Sequence, residues 1–449
     1  MKASQNPQRY RWILAAAGIV ILLFAGVVYA WSVLSGPIAQ EYPDWTKAQF
    51  SLTFTIVMVC YCIGCMAGGF LNGKISPRIG LAFSALLLLA GFFMSSRIES
   101  LAGLYVSFGV ICGFGSGFAY NIVMSTVGKW FPDKQGLISG ILLMGFGIGR
   151  FLIGKAYQML TPTDIGAWRQ SFTVLGAIAA ICLLVCGLFL KAPLSDLVVS
   201  GKEKHGQKTH SEDVATAHML RRPTFWLYYL WAILLSAAGL ILVSQASGIA
   251  SEVGINSSAG TIATVVGMIS VFNGIGRVIM GGMFDRFGRS ATMQTVNILF
   301  LLTAAILITA LKTNSFALII IGFICAGLSY GGVTPTNSAF VSAYFGMKHY
   351  PLNLSMVNTN LIFASFGSII AGALYDATQS YMSSYLLILA MAFFGNFCLL
   401  SYRSGGQTSF TLRKELYEKN FFKESCLSRH VLSRRHYSSL FHWSDSRSR

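Results

Sequence analysis

Residues 261–289 read TIATVVGMISVFNGIGRVIMGGMFDRFGR, and this stretch decides the fold. It begins as an apolar run of membrane-spanning length with a single arginine, Arg277, inside it, and it ends in a short polar turn at Asp285. Burying a guanidinium in a bilayer costs about 2.5 kcal/mol or more, so such a residue usually faces a cavity and meets an anion. Because arginine stays charged and its planar fork fits a carboxylate, the stretch predicts a membrane helix that contacts an organic anion.

The composition of the whole chain also indicates a membrane protein. Only 11% of its 449 residues are charged, 54% are hydrophobic, and the mean hydropathy is +0.62. A soluble domain has about 25% charged residues. The net charge of +17 could suggest nucleic acid as a partner, but the cations fall in short segments between apolar runs. That placement is typical of membrane topology, so we expect a lipid bilayer and no nucleic acid as the partner.

The apolar runs number twelve, each of roughly 17–25 residues, the length needed to cross a bilayer as a helix. They do not alternate apolar and polar residues as the strands of a membrane barrel do. The expected fold is therefore all-α, with twelve transmembrane helices. The predicted spans are 12–36, 48–72, 80–96, 101–126, 135–160, 170–191, 224–250, 258–283, 291–311, 316–341, 352–377 and 380–402.

The distribution of Lys and Arg predicts the orientation. With the N-terminus inside, twenty-six of the 33 cations fall on the inner side, five fall outside, and two lie within spans. Positive loops stay in the cytoplasm, so we expect both termini to be cytoplasmic, in the inner membrane of a bacterium. The alternative is that the first span is a signal peptide that is cleaved near Ala30. Two observations argue against it: the apolar stretch is longer than that of a signal peptide, and cleavage would leave an odd number of spans.

An internal repeat divides the chain into two similar halves. Gly113–Gly117 (GFGSG) matches Gly327–Gly331 (GLSYG) at an offset of 214, and Gly69 matches Gly281 at an offset of 212. Two six-helix halves around a midplane site are the organisation of a secondary transporter. The predicted parts are residues 1–191 for the first half, 192–222 for a cytoplasmic central loop, 223–402 for the second half and 403–449 for a basic tail. The tail is either solvated or a frame-shifted end of the coding sequence, and we assign it no function.

At these residues the chain resembles the major facilitator superfamily. GGMFDRFGR fits that superfamily's loop motif, in which an aspartate caps a neighbouring helix and locks one conformation. In the first-half copy, GFLNGKISPR, Gly73 stands where the aspartate is expected and Ser76 where a glycine is expected. The resemblance implies a gating role for Gly281, Asp285, Arg286, Gly288, Arg289, Gly69, Lys74 and Arg78.

Within the superfamily, the chain is similar to the oxalate–formate antiporter family, which includes monocarboxylate-type carriers. The similarity is carried by YAWS (29–32), GFAYN (117–121), KWFPDK (129–134), MGFGIG (144–149) and FNGIGR (272–277). In that family a cation on span 8 and another on span 11 hold the anion among aromatic residues. Arg277 matches the first position, whereas Leu361 stands at the second. The loss of one cation favours a monocarboxylate over a dicarboxylate.

Further residues are expected to line the site. Tyr29, Tyr120 and Tyr330 lie in or beside these motifs and offer hydroxyl groups. Asn273 shares a helix face with Arg277. We expect Asn273 and Asn360 to have one of two roles: they orient the anion, or they only form hydrogen bonds between helices. Arg150, the second arginine within a span, either binds substrate or has a structural role.

The sequence predicts transport by alternating access, with exchange of anions, and not an enzyme. No catalytic constellation, cofactor site or phosphate loop occurs, and Cys60, Cys62 and Cys65 are read as packing residues rather than as metal ligands. Asp, Glu and His lie outside the middle of the spans, so the chain has no evident proton relay of its own. We expect a monomer. The alternatives are a carrier of neutral solutes or drugs and a nutrient sensor that has lost transport.

Overall fold

The structure is a computed structural model that describes residues 7–162, 164–191, 213–253 and 259–399. Helices α1 to α15 dominate these residues. The described residues up to Asn396 belong to one compact unit, and a second begins at Phe397. The helices are α1 Pro7–Ala25, α2 Trp31–Glu41, α3 Lys47–Leu71, α4 Pro77–Ser95, α5 Leu101–Leu104, α6 Gly113–Gly128, α7 Gln135–Leu160, α8 Trp168–Gly187, α9 Thr216–Leu220, α10 Pro223–Val253, α11 Ala259–Thr313, α12 Phe316–Phe345, α13 Tyr350–Asn358, α14 Asn360–Thr378 and α15 Met382–Leu399.

Eleven helical segments in the described ranges are long and apolar enough to span a membrane, and one of them, Thr264–Thr313, has 50 residues. That segment is divided at Gly288, which has φ 78° and ψ 178°. A residue with a Cβ is strained at such a φ, so the glycine of the polar turn ends one span and starts the next. The segment therefore supplies two crossings, and the prediction of an all-α protein with twelve transmembrane helices is confirmed.

Three of the spans are not regular α-helices. Span 1 is interrupted between α1 and α2 by a 3₁₀ turn at Gly26–Ala30. Span 4 contains a π-helical stretch at Tyr105–Cys112 between α5 and α6. Span 11 is divided at Thr359, which separates α13 from α14. Such irregular backbone occurs within a membrane where it is buried in protein or lines a cavity, and two of the three interruptions border the site described below.

The repeated glycines make the same kind of contact in both halves. In the first half, a Cβ on Gly117 of α6 would lie 1.9 Å from the carbonyl oxygen of Tyr61 on α3. In the second half, a Cβ on Gly331 of α12 would lie 2.4 Å from the carbonyl oxygen of Asn273 on α11. Only glycine permits this approach of two helix backbones. The repeat in the sequence is therefore a repeat in packing.

A different set of glycines joins the two halves, along α7 and the first part of α11. A Cβ on Gly136 would lie 2.3 Å from the oxygen of Gly281, and one on Gly140 would lie 2.2 Å from the oxygen of Arg277. Farther along, a Cβ on Gly147 would lie 3.3 Å from the Cα atom of Gly274. We name this contact the glycine seam. It brings spans 5 and 8 together directly beside Arg277.

Of the predicted parts, the central loop is described only from residue 213 onward, and the tail from 403 lies outside the described residues. Within 213–222, the carboxylate of Asp213 accepts a hydrogen bond from the Lys348 backbone N–H at 3.1 Å. Met219 of α9 is fully buried. This end of the central segment thus packs onto the second half, which begins with α10. The boundaries at 191, 222 and 402 stay predictions.

Candidate functional site

Arg277 is held in place by two hydrogen bonds that do not use its whole guanidinium. Its Nε donates to the Oδ1 of Asn273, one turn earlier on α11, at 2.9 Å. Its Nη1 donates to the carbonyl oxygen of Leu143 on α7 at 2.9 Å, across the glycine seam. Within the described residues Arg277 has no carboxylate partner, and its Nη2 makes no hydrogen bond. A permanent cation is thus fixed in position with donors to spare for an anion.

Aromatic rings of the first half form a cluster near this cation. Tyr29, Tyr61, Tyr120 and Phe146 come from four spans, and their ring centroids are 5.4–6.3 Å apart. Most of the pairs meet edge to face, the arrangement that aromatic quadrupoles favour. Arg277 lies within electrostatic range of the tyrosines of this cluster and of Tyr330. The structure therefore brings Arg277, Tyr29, Tyr120 and Tyr330 into one region, and their role in binding substrate stays a prediction.

The two helix interruptions position this cluster. Tyr29 belongs to the 3₁₀ turn of span 1, and a Cβ on the neighbouring Gly26 would lie 3.1 Å from the Phe146 ring. At the interruption of span 11, Asn358 donates from Nδ2 to the Tyr120 hydroxyl at 3.2 Å, and its carbonyl accepts from Cys62 at 3.6 Å. The aromatic cluster of the first half is thus tied to the second half at the break of span 11.

The other expected site residues are placed less uniformly. Tyr330 packs closely on α10, because a Cβ on Gly239 would lie 2.1 Å from its ring. The Nδ2 of Asn273 is buried without a hydrogen-bond partner in the described chain. The amide of Asn360 is buried, and neither of its polar atoms has a partner in that same part of the chain. Since an unsatisfied buried amide costs free energy, these amides have capacity for a ligand. Arg150 lies on α7, but its side chain is outside the described residues, and its role stays a prediction.

Sequence reasoning did not single out Tyr61, Phe146 and Asn358. Phe146 lies in the quoted segment MGFGIG, and Tyr61 lies between two cysteines in span 2. Neither side chain has a charge or an amide group that would identify it as a site residue within an apolar span. Asn358 is two residues before Asn360, on a different face of a regular helix. The structure places an interruption at Thr359, between these two asparagines, which the sequence analysis did not predict.

The polar turn after span 8 forms a cap on a helix of the other half. The N-cap residue of α7, Lys134, provides no side-chain cap, so the first N–H groups of that helix lack a partner from their own segment. Asp285 supplies both acceptors: its Oδ1 accepts from Gly136 N at 2.8 Å and its Oδ2 from Leu137 N at 2.7 Å. A carboxylate at a helix N-terminus satisfies orphan donors and the helix dipole. Asp285 therefore holds the two halves together at this end, which we name the motif end.

The other motif residues surround this cap. Gly281 belongs to the glycine seam, Gly288 ends the helix, and the guanidinium of Arg286 lies over the Phe287 ring at 5.1 Å. The guanidinium of Arg289 lies over the ring of Tyr344 on α12 at 4.8 Å. These positions are consistent with the gating role implied by the resemblance, which stays a prediction.

The first-half copy of the motif closes the same end by other contacts. A Cβ on Gly69 would lie 3.0 Å from the Pro351 carbonyl oxygen at the start of α13. Asn121 of α6 donates to that same oxygen and to the Ser355 hydroxyl, both at 2.8 Å. Lys74 and Arg78 are exposed. Neutral contacts thus replace the carboxylate cap on this side, and the described conformation is closed at the motif end.

Comparison with known proteins agrees with this architecture. The family model of the Major Facilitator Superfamily matches residues 14–272 and 237–443. The chain belongs to the major facilitator superfamily. It is a multi-pass integral membrane protein and a transporter of a small molecule, not an enzyme.

Curated relatives extend over most of the chain. The chain is 28% identical over 400 residues to the oxalate:formate antiporter of Oxalobacter formigenes, covering 87% of this chain and 91% of that protein. It is 26% identical to an uncharacterized MFS-type transporter of Escherichia coli (strain K12), covering 78% and 85%. It is also 28% identical over 176 residues to human monocarboxylate transporter 12, covering 39% of this chain and 33% of that protein. The expected resemblance is confirmed.

Solved structures show the same fold at low identity. The structure of a proton:xylose symporter bound to 6-bromo-6-deoxy-D-glucose matches with a TM-score of 0.69 at 16% identity, covering 88% of this chain and 95% of that chain. A superfamily transporter in the outward conformation, FucP, matches with a TM-score of 0.60 at 15% identity, covering 87% and 99%. At this identity the likeness shows the fold and not the substrate.

Proposed function

We propose that the chain transports a small organic anion, a monocarboxylate, and that it exchanges one such anion for another by alternating access. The observation that supports this most is Arg277, a fixed cation without a carboxylate partner among the described residues, beside an aromatic cluster. A guanidinium offers charge and directed donors to a carboxylate, and the rings accommodate a short apolar substituent. The oxalate:formate antiporter among the relatives supports the same class of substrate.

The number of cations supports a single carboxylate. Leu361, at the position where the resemblance implies a second cation, is buried and apolar. A second carboxylate at that place would be left without a partner, which is costly in a medium of low dielectric constant. Arg150 is the residue that would change this assignment, and we propose that it tunes selectivity.

The acidic residues of the described spans support exchange over proton coupling. Glu41, Glu252 and Asp376 lie near helix ends, and Asp285 is occupied as a cap. A proton-coupled carrier usually relays protons through a titratable residue within the membrane. No titratable residue of this kind lies beside Arg277 among the described residues. When the carrier is empty, the Arg277 charge is therefore uncompensated, and the change between the two conformations is favoured only when an anion is bound.

The proposed cycle begins from the conformation described above. The distribution of Lys and Arg predicts that the motif end is cytoplasmic, so the described conformation would be the outward-facing state of the proposed cycle. Opening to the inside requires Asp285 to release the first turn of α7 and the glycine seam to separate. The two halves then rock around the site at Arg277, as in other transporters built from repeats.

Counterflow with a panel of labelled solutes tests the substrate class. Proteoliposomes loaded with an unlabelled solute are diluted into the labelled one, using formate, acetate, lactate, oxalate, glycerol and choline in turn. We expect transient accumulation of one or more monocarboxylates above the level in protein-free liposomes, with weaker exchange of oxalate. Exchange of glycerol or choline without exchange of any carboxylate would contradict the proposal.

A further inference from the structure

A cavity lies at the motif end of the first half, and Arg277 is not among its lining residues. It has a volume of about 510 Å³ and lies between the α3–α4 turn, the end of α6 and the segment after α8. Among the described residues that line it, four are cations and none is acidic. The cations are Lys74, Arg78, Lys129 and Lys191.

The surroundings of Lys129 show that the positive charge of the cavity is little compensated by the described residues. It is half-buried, and burial lowers the pKa of its ammonium group from the ordinary value. Its Nζ donates to the Oδ1 of Asn72, a neutral group, at 3.2 Å. Neither ion pair found among the described residues involves any of the four cations of the cavity. A cluster of like charges without a counterion is unfavourable, and a bound anion would offset that cost.

The surrounding residues fix the cluster in place. The amide of Asn72 also donates to the Ser125 hydroxyl at 2.8 Å, which holds the turn against α6. The indole Nε1 of Trp130 donates to the carbonyl oxygen of Lys191 at 2.8 Å. Since Trp130 follows Lys129 directly, this bond ties the backbones that carry two of the four cations. The cavity is therefore a built arrangement and not a chance meeting of mobile surface lysines.

Comparison of the two copies of the loop motif shows what is missing here. The second-half copy contains its own carboxylate, Asp285, and the first-half copy has Gly73 in its place, with φ 83°. The cations of the first-half copy, Lys74 and Arg78, therefore have no anion from their own segment. An external anion would supply the negative charge that this copy of the motif lacks.

The chemistry of the lining favours phosphate. Several cations that converge on one cavity suit a group with several charged oxygens, whereas a single carboxylate needs one guanidinium. The four residues lie near the ends of the membrane-spanning helices α3, α4, α6 and α8, where lipid headgroups are expected. Large apolar side chains are exposed on the same helix ends, at Ile79 (63%) and Leu188 (64%). Basic pockets between membrane helices on the cytoplasmic side bind anionic headgroups in this way.

We propose that this cavity is a binding site for a phosphate-bearing anion, separate from the transport site. The phosphate belongs either to an anionic phospholipid or to a soluble phosphate, and the same experiment separates the two sources. The site is formed by the first half alone and is present in the conformation that is closed at the motif end.

Thermal unfolding of the full-length protein in a neutral detergent provides the test. The probes are dioctanoyl phosphatidylglycerol, dioctanoyl phosphatidylcholine and inorganic phosphate, each titrated separately. We expect saturable stabilisation by phosphatidylglycerol and little by phosphatidylcholine. Stabilisation by inorganic phosphate to the same extent would support the site with a soluble source.

Variants decide whether the response comes from this cavity. In the double variant Lys129→Gln/Lys191→Gln we expect the apparent affinity to fall about five-fold for each lysine removed, the factor typical of a basic residue near an anionic surface. The control is Lys155→Gln/Lys312→Gln, which removes the same charge from exposed positions at the other end of the bundle. If the double variant does not fold, Lys74→Gln, at an exposed position of the same cavity, replaces it. Equal responses of the wild type and the cavity variants, or no stabilisation by either phosphate probe, would overturn the proposal.

Discussion

Replacing Asp285 with Asn should weaken the contact that closes the motif end. The carboxylate accepts two hydrogen bonds, at 2.8 Å from Gly136 N and at 2.7 Å from Leu137 N. Asparagine retains one acceptor oxygen and turns a donor group toward the second N–H. The change therefore removes one charge-assisted bond and the favourable charge at the N-terminus of α7.

The size of the effect follows from these two losses. A hydrogen bond to a charged group contributes about 1.5–3 kcal/mol, and a charge near a helix N-terminus adds about 0.3–1 kcal/mol. Asparagine remains a good N-cap residue, which offsets part of the loss. We expect the closed state to lose about 1.5–3 kcal/mol, which shifts the equilibrium between closed and open states by roughly ten-fold to a hundred-fold.

Hydrogen–deuterium exchange measures this change in the intact protein. The N–H groups of Gly136 and Leu137 are protected by Asp285, so their exchange in Asp285→Asn should be faster by at least about ten-fold, the factor that 1.4 kcal/mol represents. The control is Asp133→Asn, which makes the same chemical change at a carboxylate that pairs with Arg11 at 3.1 Å. Unchanged exchange at the start of α7 in Asp285→Asn, or an equal increase in the control, would refute the assigned cap.

Three further predictions concern the seam, the orientation and the coupling. Gly140→Ala would place a Cβ 2.2 Å from the Arg277 carbonyl oxygen, so this variant should lose most of its uptake. Gly282→Ala is the control, because its Cβ would lie 3.6 Å from the nearest neighbouring atom, and it should keep its uptake. Similar uptake by the two variants would contradict the glycine seam. A cysteine introduced at Ser257 should react with an impermeant thiol reagent added outside cells, and one at Gly206 should not; the reverse pattern would overturn the orientation. In proteoliposomes with an imposed pH gradient at fixed substrate ionisation, uptake should require internal anion, and concentrative uptake without it would rule out exchange.

The sequence was sufficient for the fold because its signals depend on local chemistry. Twelve apolar runs, the bias of Lys and Arg, and the glycine repeat each follow from the cost of exposing polar groups to lipid or from the space between two helices. Gly288 shows this well: it lies between the predicted spans 258–283 and 291–311, and with its φ of 78° it divides the long helix into two.

The site was only partly predictable, for a physical reason. Arg277 and the tyrosines carry charge or hydroxyl groups that are costly in lipid, so their position within spans marked them. Tyr61 and Phe146 have no such mark, because an aromatic residue inside a span is ordinary. At the interruption of span 11, Asn358 reaches Tyr120, which lies 238 residues earlier in the chain. Long-range contacts of this kind need the structure.

The transport activity of Arg277 variants tests whether this arginine binds the transported anion. Counterflow of the best monocarboxylate from the panel is measured for the wild type, Arg277→Gln, Arg277→Lys and, as a control, Arg97→Gln, whose arginine is exposed and lies over the Phe93 ring. Since charge-assisted bonds contribute about 1.5–3 kcal/mol, Arg277→Gln should lower the apparent affinity by at least about ten-fold. Lysine keeps the charge without the fork and should restore only part of it. Wild-type affinity in a correctly inserted Arg277→Gln protein would show that Arg277 does not bind the anion.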